Sequence, residues 1–491
     1  MKILDTALQK TLTLCACYYL AVYCLLGALR MPFPGALEWL ESNMYYQMLR
    51  VLEGQPLYVA PTLEYIPSLY SPLYFYIAAL LARFFEPGFW ILRLISYVST
   101  LGSMALIGYI VYRESQRRIA GLWAAGLFAA TYHLSATYFD VARIDPLYLF
   151  LFLSSLAVVR FAPSMTSCLL AAVLLAAATL TKQTALILGF PLVLYIFLFR
   201  SRLQALCFTG VFIAAIGLPS LWLNSSSQGW YFFYTFALPA RHQILWPRME
   251  SFWLQQILAP LGITACIAMS YFFLIPFKKS RKVVLLYAPT LMTMLAAACM
   301  YWMKIAAYKN VLIPAHAALA IGAGLALGAA PPNWVRRLLL IATCIQFGLL
   351  WYNPLPIVPA ATNAAIVHKT VAAIKNIEGE VFAPTNGYLS VMAGKQHSAN
   401  ISCINDIILG GPGPVRDRLA IELRSAIREK RFEAILLDRN FRFFQREINT
   451  HYMLSPQYSE QLTYWPLIKY WFIPRKSPTP NTKAVGPPET N

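Results

Sequence analysis

Charge is scarce in this sequence. Charged residues make up 12% of the 491 positions, against about 25% in an ordinary soluble domain. That is too few to coat a soluble globule, so the chain as a whole is not of the soluble class. Acidic residues are scarcer than basic ones, 21 against 40, for a formal charge of +19. Other absences narrow the function. There is neither a P-loop nor a G-x-G-x-x-G, so a bound nucleotide is not indicated. The six histidines are scattered and form no pair such as H-E-x-x-H. His316, in an apolar run after Pro314, reads as a packed or polar-bonded residue. Of the nine cysteines only Cys403 lies outside an apolar stretch, so a disulfide framework has no second partner there. No internal repeat announces a transporter built from inverted halves.

What is abundant is apolar sequence: 58% of residues are hydrophobic and mean hydropathy is +0.54. Runs near residues 11–31, 91–112, 119–135, 146–161, 167–181, 184–200, 204–223, 253–276, 283–303, 311–329 and 338–353 predict about eleven transmembrane helices, each needing roughly 20 residues to cross the hydrocarbon. The first run is longer than a signal-peptide core and stays as a helix. With the N-terminus cytoplasmic, the clusters at Arg113 to Arg118, Arg200 and Arg202, Lys278 to Lys282, and Arg336 and Arg337 all face inward, as the positive-inside rule asks. The basic excess is therefore a topology signal, and nucleic acid is not a partner. The run from Tyr74 to Arg83 is half a span and is expected to lie flat in the outer interface. Runs 167–181 and 184–200 should meet at the outer face around Thr181, Lys182 and Gln183.

Beyond the Pro-rich linker from Asn353 to Pro359 the texture turns polar. Glu380 to Ala383 and Ala434 to Leu437 read as strands and Pro414 to Phe432 as an amphipathic helix. The expected architecture is an all-α polytopic membrane protein with a small C-terminal α/β extracytoplasmic domain. Its parts are a membrane domain over 1–355 that includes the first outer loop, 32–90, a soluble domain over 360–474 and a disordered tail over 475–491.

Ionisable groups at the outer ends of helices are the candidate chemistry, because a charge near hydrocarbon costs at least about 2.5 to 3.5 kcal/mol and persists where it serves a substrate. The first outer loop carries Glu38, Glu41, Glu53 and Glu64. Glu38 and Glu41 share a helical face, and a carboxylate near apolar walls suits a base that deprotonates a hydroxyl; a solvated interfacial pair is the alternative. In FDVARIDPLY, Asp140, Arg143 and Asp145 cluster before the fourth long run. Asp145 before Pro146 also fits a helix N-cap, whereas the Arg143 fork matches phosphate geometry. TKQT at Thr181 and YKN at Tyr308 each place a lysine, Lys182 and Lys309, at an outer helix end. There it can neutralise a phosphate or snorkel to the headgroups. Arg93 belongs to the same layer.

The acidic first loop at Glu38 to Glu41 is followed by GQPLY at Gly54, YSPLYFYIAAL at Tyr70, RLIS at Arg93, FDVARIDPLYLFL at Phe139, LTKQT at Leu180 and KNVLIP at Lys309. In order and spacing they resemble the polytopic, lipid-phosphosugar-dependent glycosyltransferases of the GT-C fold, which include protein O-mannosyltransferases and the lipid A aminoarabinose transferase. The resemblance covers most of the membrane part. It implies a polyprenyl-phosphate sugar donor, a lipid, glycan or protein acceptor, inverting transfer at the outer face of a bacterial inner membrane, and contact with membrane lipids. It implies Glu41 as the first choice of base and Glu38 as the second, with Asp145 as the second acidic position. Arg93, Arg143, Lys182, Lys309, Asn310, Tyr70 and Tyr74 form the implied substrate- and phosphate-binding set. No cofactor is evident; some relatives use a divalent metal, and this chain shows no dedicated metal cage. Rival classes are a flippase or transporter of lipid-linked sugars, a glycan ligase or polymerase using polyprenyl-diphosphate donors, and a scaffold.

Overall fold

The computed structural model describes residues 2–275, 277–455 and 469–475. Helices dominate, as they must where no water is present to satisfy backbone polar groups. In chain order they begin with α1 (Lys2–Arg30), α2 (Glu41–Leu52), α3 (Leu73–Ala82), α4 (Phe89–Ser115), α5 (Arg118–Ala130), α6 (Asp145–Phe161), α7 (Met165–Thr181), α8 (Ala185–Phe199) and α9 (Arg202–Ser226). Short helices α10 (Trp230–Phe232), α11 (Leu238–Arg241) and α12 (Pro247–Ser251) alternate with π-helical turns at Phe233–Ala237 and Phe252–Leu258. Long helices resume with α13 (Ala259–Leu274), α14 (Phe277–Trp302), α15 (Ile313–Ala329) and α16 (Trp334–Leu349). The chain continues through α17 (Ala361–Lys375), α18 (Gly387–Met392), α19 (Ile401–Leu409), α20 (Pro414–Arg428) and α21 (Gln445–His451).

Every expected span contains a helix, with displaced ends whose causes are local. The last one starts early because the Asn333 side chain accepts from the Val335 amide at 2.9 Å and caps α16. Among the described residues, seven helical stretches are long and apolar enough to cross a bilayer, and one of them, Leu355–Lys375, lies beyond the last expected span. Shorter apolar helices include α3, α5, α7 and α8.

By internal contacts the chain divides into two units: residues 1–32, 70–235 and 242–358, and residues 33–69, 236–241 and 359–491. Most of the first loop thus groups with the C-terminal residues, although its position in the sequence counts it with the membrane helices. Long-range hydrogen bonds are the reason. The Ala36 amide donates to Tyr388 Oη at 3.2 Å, the Tyr388 amide to Ser42 Oγ at 3.1 Å, and Asn400 Nδ2 to the Trp39 carbonyl at 2.8 Å.

In the first unit, α15 forms the centre, packed by α13, α5, α14 and α4, and its residues 313–328 are all buried. Small residues make this approach close. A methyl group added at Gly324 would stand 2.5 Å from Ala124 Cβ and 2.9 Å from Val111 Cγ2, which no packed core tolerates. By contrast, only 17% of the most apolar stretch of α9 is buried.

The second unit contains a four-stranded sheet of β1 (Glu380–Phe382), β2 (Phe432–Leu437), β3 (Tyr452–Leu454) and β4 (Tyr470–Pro474), in the order β1-β2-β4-β3. β1 and β2 run parallel, whereas β4 lies antiparallel to both β2 and β3. α20 lies in the crossover from β1 to β2 and buries Leu419, Leu423, Ala426 and Ile427, the spacing of one helical face. The strands expected at Glu380 and Ala434 are present as β1 and β2; β3 and β4 were not anticipated. Of the disordered tail expected over 475–491, residues 476–491 lie outside the described residues, whereas Arg475 is held in place, its amide donating to the His451 carbonyl at 3.0 Å.

Candidate functional site

Asp145 opens α6 ahead of Pro146, whose fixed backbone suits a first helical turn. It is not the cap. The N-cap is Ile144, with no side-chain cap hydrogen bond, and the Asp145 carboxylate, wholly buried, turns to other helices. Lys182 Nζ, from the break between α7 and α8, donates to its Oδ1 at 2.5 Å. Asn310 Nδ2, from the 3-10 turn Lys309–Leu312 before α15, reaches both oxygens at 3.1 Å. Arg143 Nε lies 3.8 Å from Oδ2. Two sequence-distant pieces, with Arg143 from the segment just before α6, therefore converge on one carboxylate, each at the boundary of a helix.

Aromatic rings wall this cluster. Arg143 donates to Tyr70 Oη at 2.9 Å, and its guanidinium lies over the Tyr70 and Tyr138 rings at 5.5 and 5.4 Å. The Lys182 ammonium lies 5.2 Å from the Tyr148 ring centre and 5.8 Å from that of Tyr301. Such ring faces attract cations in a site with little water. The Arg143 carbonyl accepts from Ser96 Oγ at 2.9 Å, and Ser96 also bonds Tyr74 Oη at 3.1 Å. Tyr74 thus braces the cluster through Ser96. The sequence candidates Asp145, Arg143, Lys182, Asn310 and Tyr70 come together; Ser96 and Tyr148 lie within the motifs RLIS and FDVARIDPLYLFL without being singled out, and Tyr138 and Tyr301 lacked a signal that set them apart from lipid-facing residues.

Other candidates have different surroundings. Asp140 does not share the Asp145 cluster. It accepts from Arg30 Nη1 and from Tyr132 Oη, each at 2.9 Å, and ties the end of α1 to the segment before α6. Arg93, fully buried, directs Nη1 at the carbonyls of Arg30 and Met31, both at 3.4 Å, where the end of α1 presents negative carbonyls. Lys309 is half-buried and opens the 3-10 turn, and no side-chain hydrogen bond or ion pair holds its ammonium among the described residues. His316 meets Ser135 Oγ at 3.0 Å through Nδ1, a polar-bonded core residue.

In the second unit, Glu41 is the first residue of α2 and is wholly buried. Its Oε2 accepts from the Leu37 amide at 2.6 Å, which folds the preceding loop back over the helix start. Glu38 is also buried, and its carbonyl receives the Glu41 amide at 3.3 Å. The alternative of a solvated pair does not hold for either carboxylate. Downstream, Asn43 and Gln47 are buried on α2, and Gln47 Nε2 donates to Ser68 Oγ at 2.9 Å. His397 stacks on Tyr46 with ring centres 3.6 Å apart, and its Nδ1 donates to the Glu64 carbonyl at 2.8 Å. Burial pushes this imidazole down to about 4.

A further buried network was not read from the sequence. Arg160, at the end of α6, grips Glu114, at the end of α4, through two bonds of 2.5 and 3.0 Å. Tyr287 Oη donates to the same carboxylate at 3.0 Å, and Arg160 Nη1 donates to Tyr195 Oη at 3.1 Å. The signal was one acidic residue inside a basic cluster, which the topology rule absorbs. No group of three or more His, Cys, Asp or Glu that could hold a metal ion occurs among the described residues.

Residues 69–222 match the family model described as dolichyl-phosphate-mannose-protein mannosyltransferase. Among solved structures, the chain is similar to ArnT from Cupriavidus metallidurans bound to undecaprenyl phosphate, with a TM-score of 0.59 and 11% identity, covering 92% of this chain and 97% of that one. The apo state of the same ArnT matches at 0.57 with 12% identity over the same shares. No curated protein matches in sequence. The chain is a multi-pass membrane protein with the ArnT-like GT-C fold, and its resemblance to the polyprenyl-phosphate-dependent glycosyltransferases of that fold stands.

Proposed function

We propose that this protein is a membrane glycosyltransferase that moves a sugar from a polyprenyl-phosphate donor to an acceptor hydroxyl at the outer face of a bacterial inner membrane. The observation that carries the proposal is the convergence of Lys182, Arg143 and Asn310 on buried Asp145. Lys182 and Arg143 bring two cations to the Asp145 carboxylate in a place walled by tyrosine rings. The mannosyltransferase family match and the ArnT complex with undecaprenyl phosphate support a lipid phosphate as the anion received there.

In this reading Asp145 is a positioning residue. It keeps the Lys182 ammonium and the Arg143 fork in place for the donor phosphodiester, which carries one negative charge and gains a second as the bond to the sugar breaks. Arg143 suits two phosphate oxygens at once, whereas Lys182 acts as a movable point charge. Both stand where negative charge develops as the phosphate leaves, which is where fixed positive charge lowers a barrier most. The base is Glu41, held by the Leu37 amide, with Glu38 as the second candidate. The acceptor O–H proton passes to the carboxylate, and the oxygen bonds the anomeric carbon. The bond from that carbon to the phosphate oxygen breaks, and the lipid phosphate departs with the electron pair. Attack opposite the leaving group inverts the anomeric configuration. Lys309, Asn310, Arg93, Tyr70 and Tyr74 complete the donor-binding set. The N-terminus is cytoplasmic and the C-terminal domain extracytoplasmic.

The test uses purified protein in lipid nanodiscs with a polyprenyl-monophosphate sugar. Glu41→Gln should lower transfer by about 10²- to 10⁴-fold, the usual contribution of a general base, with the melting temperature retained. Sugar-lipid translocation surviving in a protein that never transfers would favour the flippase class. Activity with a diphosphate donor alone would favour the ligase.

A further inference from the structure

An apolar groove of about 510 Å³ runs along the first unit between α1, α4 and α5, away from Asp145. Its floor is made of small residues, Ala105 and Gly108 from α4 and Gly121 and Ala125 from α5, and Leu20, Leu101 and Leu122 also line it. The floor is shallow because the two helices nearly touch: a methyl group at Gly121 would stand 2.4 Å from the Gly108 carbonyl oxygen. Along α4 the groove extends from Leu101 to Tyr112. At about 1.5 Å per residue that is roughly 16 Å, close to the depth of one leaflet, half of a core of about 30 Å.

One end of the groove is different in character. Tyr109, Tyr112 and Arg118 line it there, with the Arg118 guanidinium 5.8 Å from the Tyr112 ring centre. Arg113 donates to Tyr109 Oη at 2.5 Å, which brings a second guanidinium to the same end. Both arginines are exposed, and neither makes an ion pair among the described residues. The nearest carboxylate in sequence, Glu114, is already gripped by Arg160. The end therefore carries uncompensated positive charge against a slot that fits a hydrocarbon chain.

We propose that this groove is a binding site for an anionic phospholipid of the surrounding bilayer. One acyl chain lies over Gly108 and Gly121, and the phosphate sits between Arg113 and Arg118, with the Tyr109 and Tyr112 hydroxyls beside it. The charge selects the lipid class: a zwitterionic headgroup brings its own cation and gains little from two arginines, whereas a net negative one gains from both. The site is independent of sugar transfer and does not rest on the function proposed above.

The experiment is native mass spectrometry of the full chain released from nanodiscs holding equal parts phosphatidylglycerol and phosphatidylcholine. Phosphatidylglycerol should be retained over phosphatidylcholine by roughly thirtyfold, a factor of about five from each arginine. The double variant R113Q/R118Q should lose that preference. Ala105→Trp, at an exposed position on the groove floor, should lower retention of both lipids by filling the slot. Equal retention of the two lipids by the unaltered protein overturns the proposal. So does a preference that survives R113Q/R118Q in protein whose melting temperature is unchanged, because the anion would then be bound elsewhere.

Discussion

The two ends of α6 hold opposite answers to one problem, the burial of a carboxylate in a helical bundle. At its end Arg160 takes Glu114 in a two-pronged grip, and Tyr287 and Tyr195 bond the pair. Fork, carboxylate and hydroxyls satisfy one another, and such a closed network locks helices together. At its start Asp145 holds a lysine through one bond, an amide, and an arginine at 3.8 Å. Its lysine reaches it from the break between α7 and α8 and its arginine from the segment just before α6, and in the proposed function both turn to the donor phosphate. The same chemical groups thus make a rivet in one place and a receptor in the other, and the difference lies in whether the partners are free to exchange.

The sharpest way to break that contrast is to remove each carboxylate's partner and separate stability from turnover. Glu114→Ala strands Arg160 and should cost about 3–5 kcal/mol of stability, read by thermal or chemical denaturation in detergent, with turnover per folded molecule unchanged. Lys182→Gln should lower kcat for transfer from a polyprenyl-phosphate sugar by about 10²- to 10³-fold, the effect of removing one donor aimed at developing charge. Turnover lost in the first variant, or kept in folded protein of the second, would erase the distinction. A third contrast is a buried group that must stay uncharged. The His397 imidazole is held at about 4, below its usual 6.5, by burial. Between those values the unfolded chain binds the proton and the folded one does not, so stability rises with pH. It is complete above pH 6.5 and falls as pH drops toward 4, by on the order of 3 kcal/mol. Melting of the second unit, followed by tryptophan fluorescence, should show this slope, and His397→Asn should flatten it.

How much of this was legible depended on whether a feature is written locally. Helices announce themselves as apolar runs, and each expected span contains one. Asp145, Lys182 and Asn310 stood out because each is polar at the edge of an apolar run, the one place where a single residue carries meaning by position. Asp140 stood out equally and was grouped with Asp145 for nearness in sequence. The fold sends its carboxylate to Arg30 instead, since neighbours before a helix start point to different sides. Glu114 was hidden among arginines that the topology rule explains. The grouping of residues 33–69 with the C-terminal part rests on pairs such as Ala36 with Tyr388, which no local pattern encodes. β3 and β4 escaped for a similar reason: three- and five-residue strands hold their place through pairing, β4 with β2 and β3 with β4, rather than by their own periodicity.

The complete enclosure of α15 has its own consequence. Residues 313–328 of this helix are closed off from lipid, so the alanines and glycines at 315–328 are held there by size rather than by oiliness. Variation among relatives should therefore follow volume along α15 and hydropathy along α9. A leucine at position 324, welcome in most bilayer helices, should be tolerated less well than a serine.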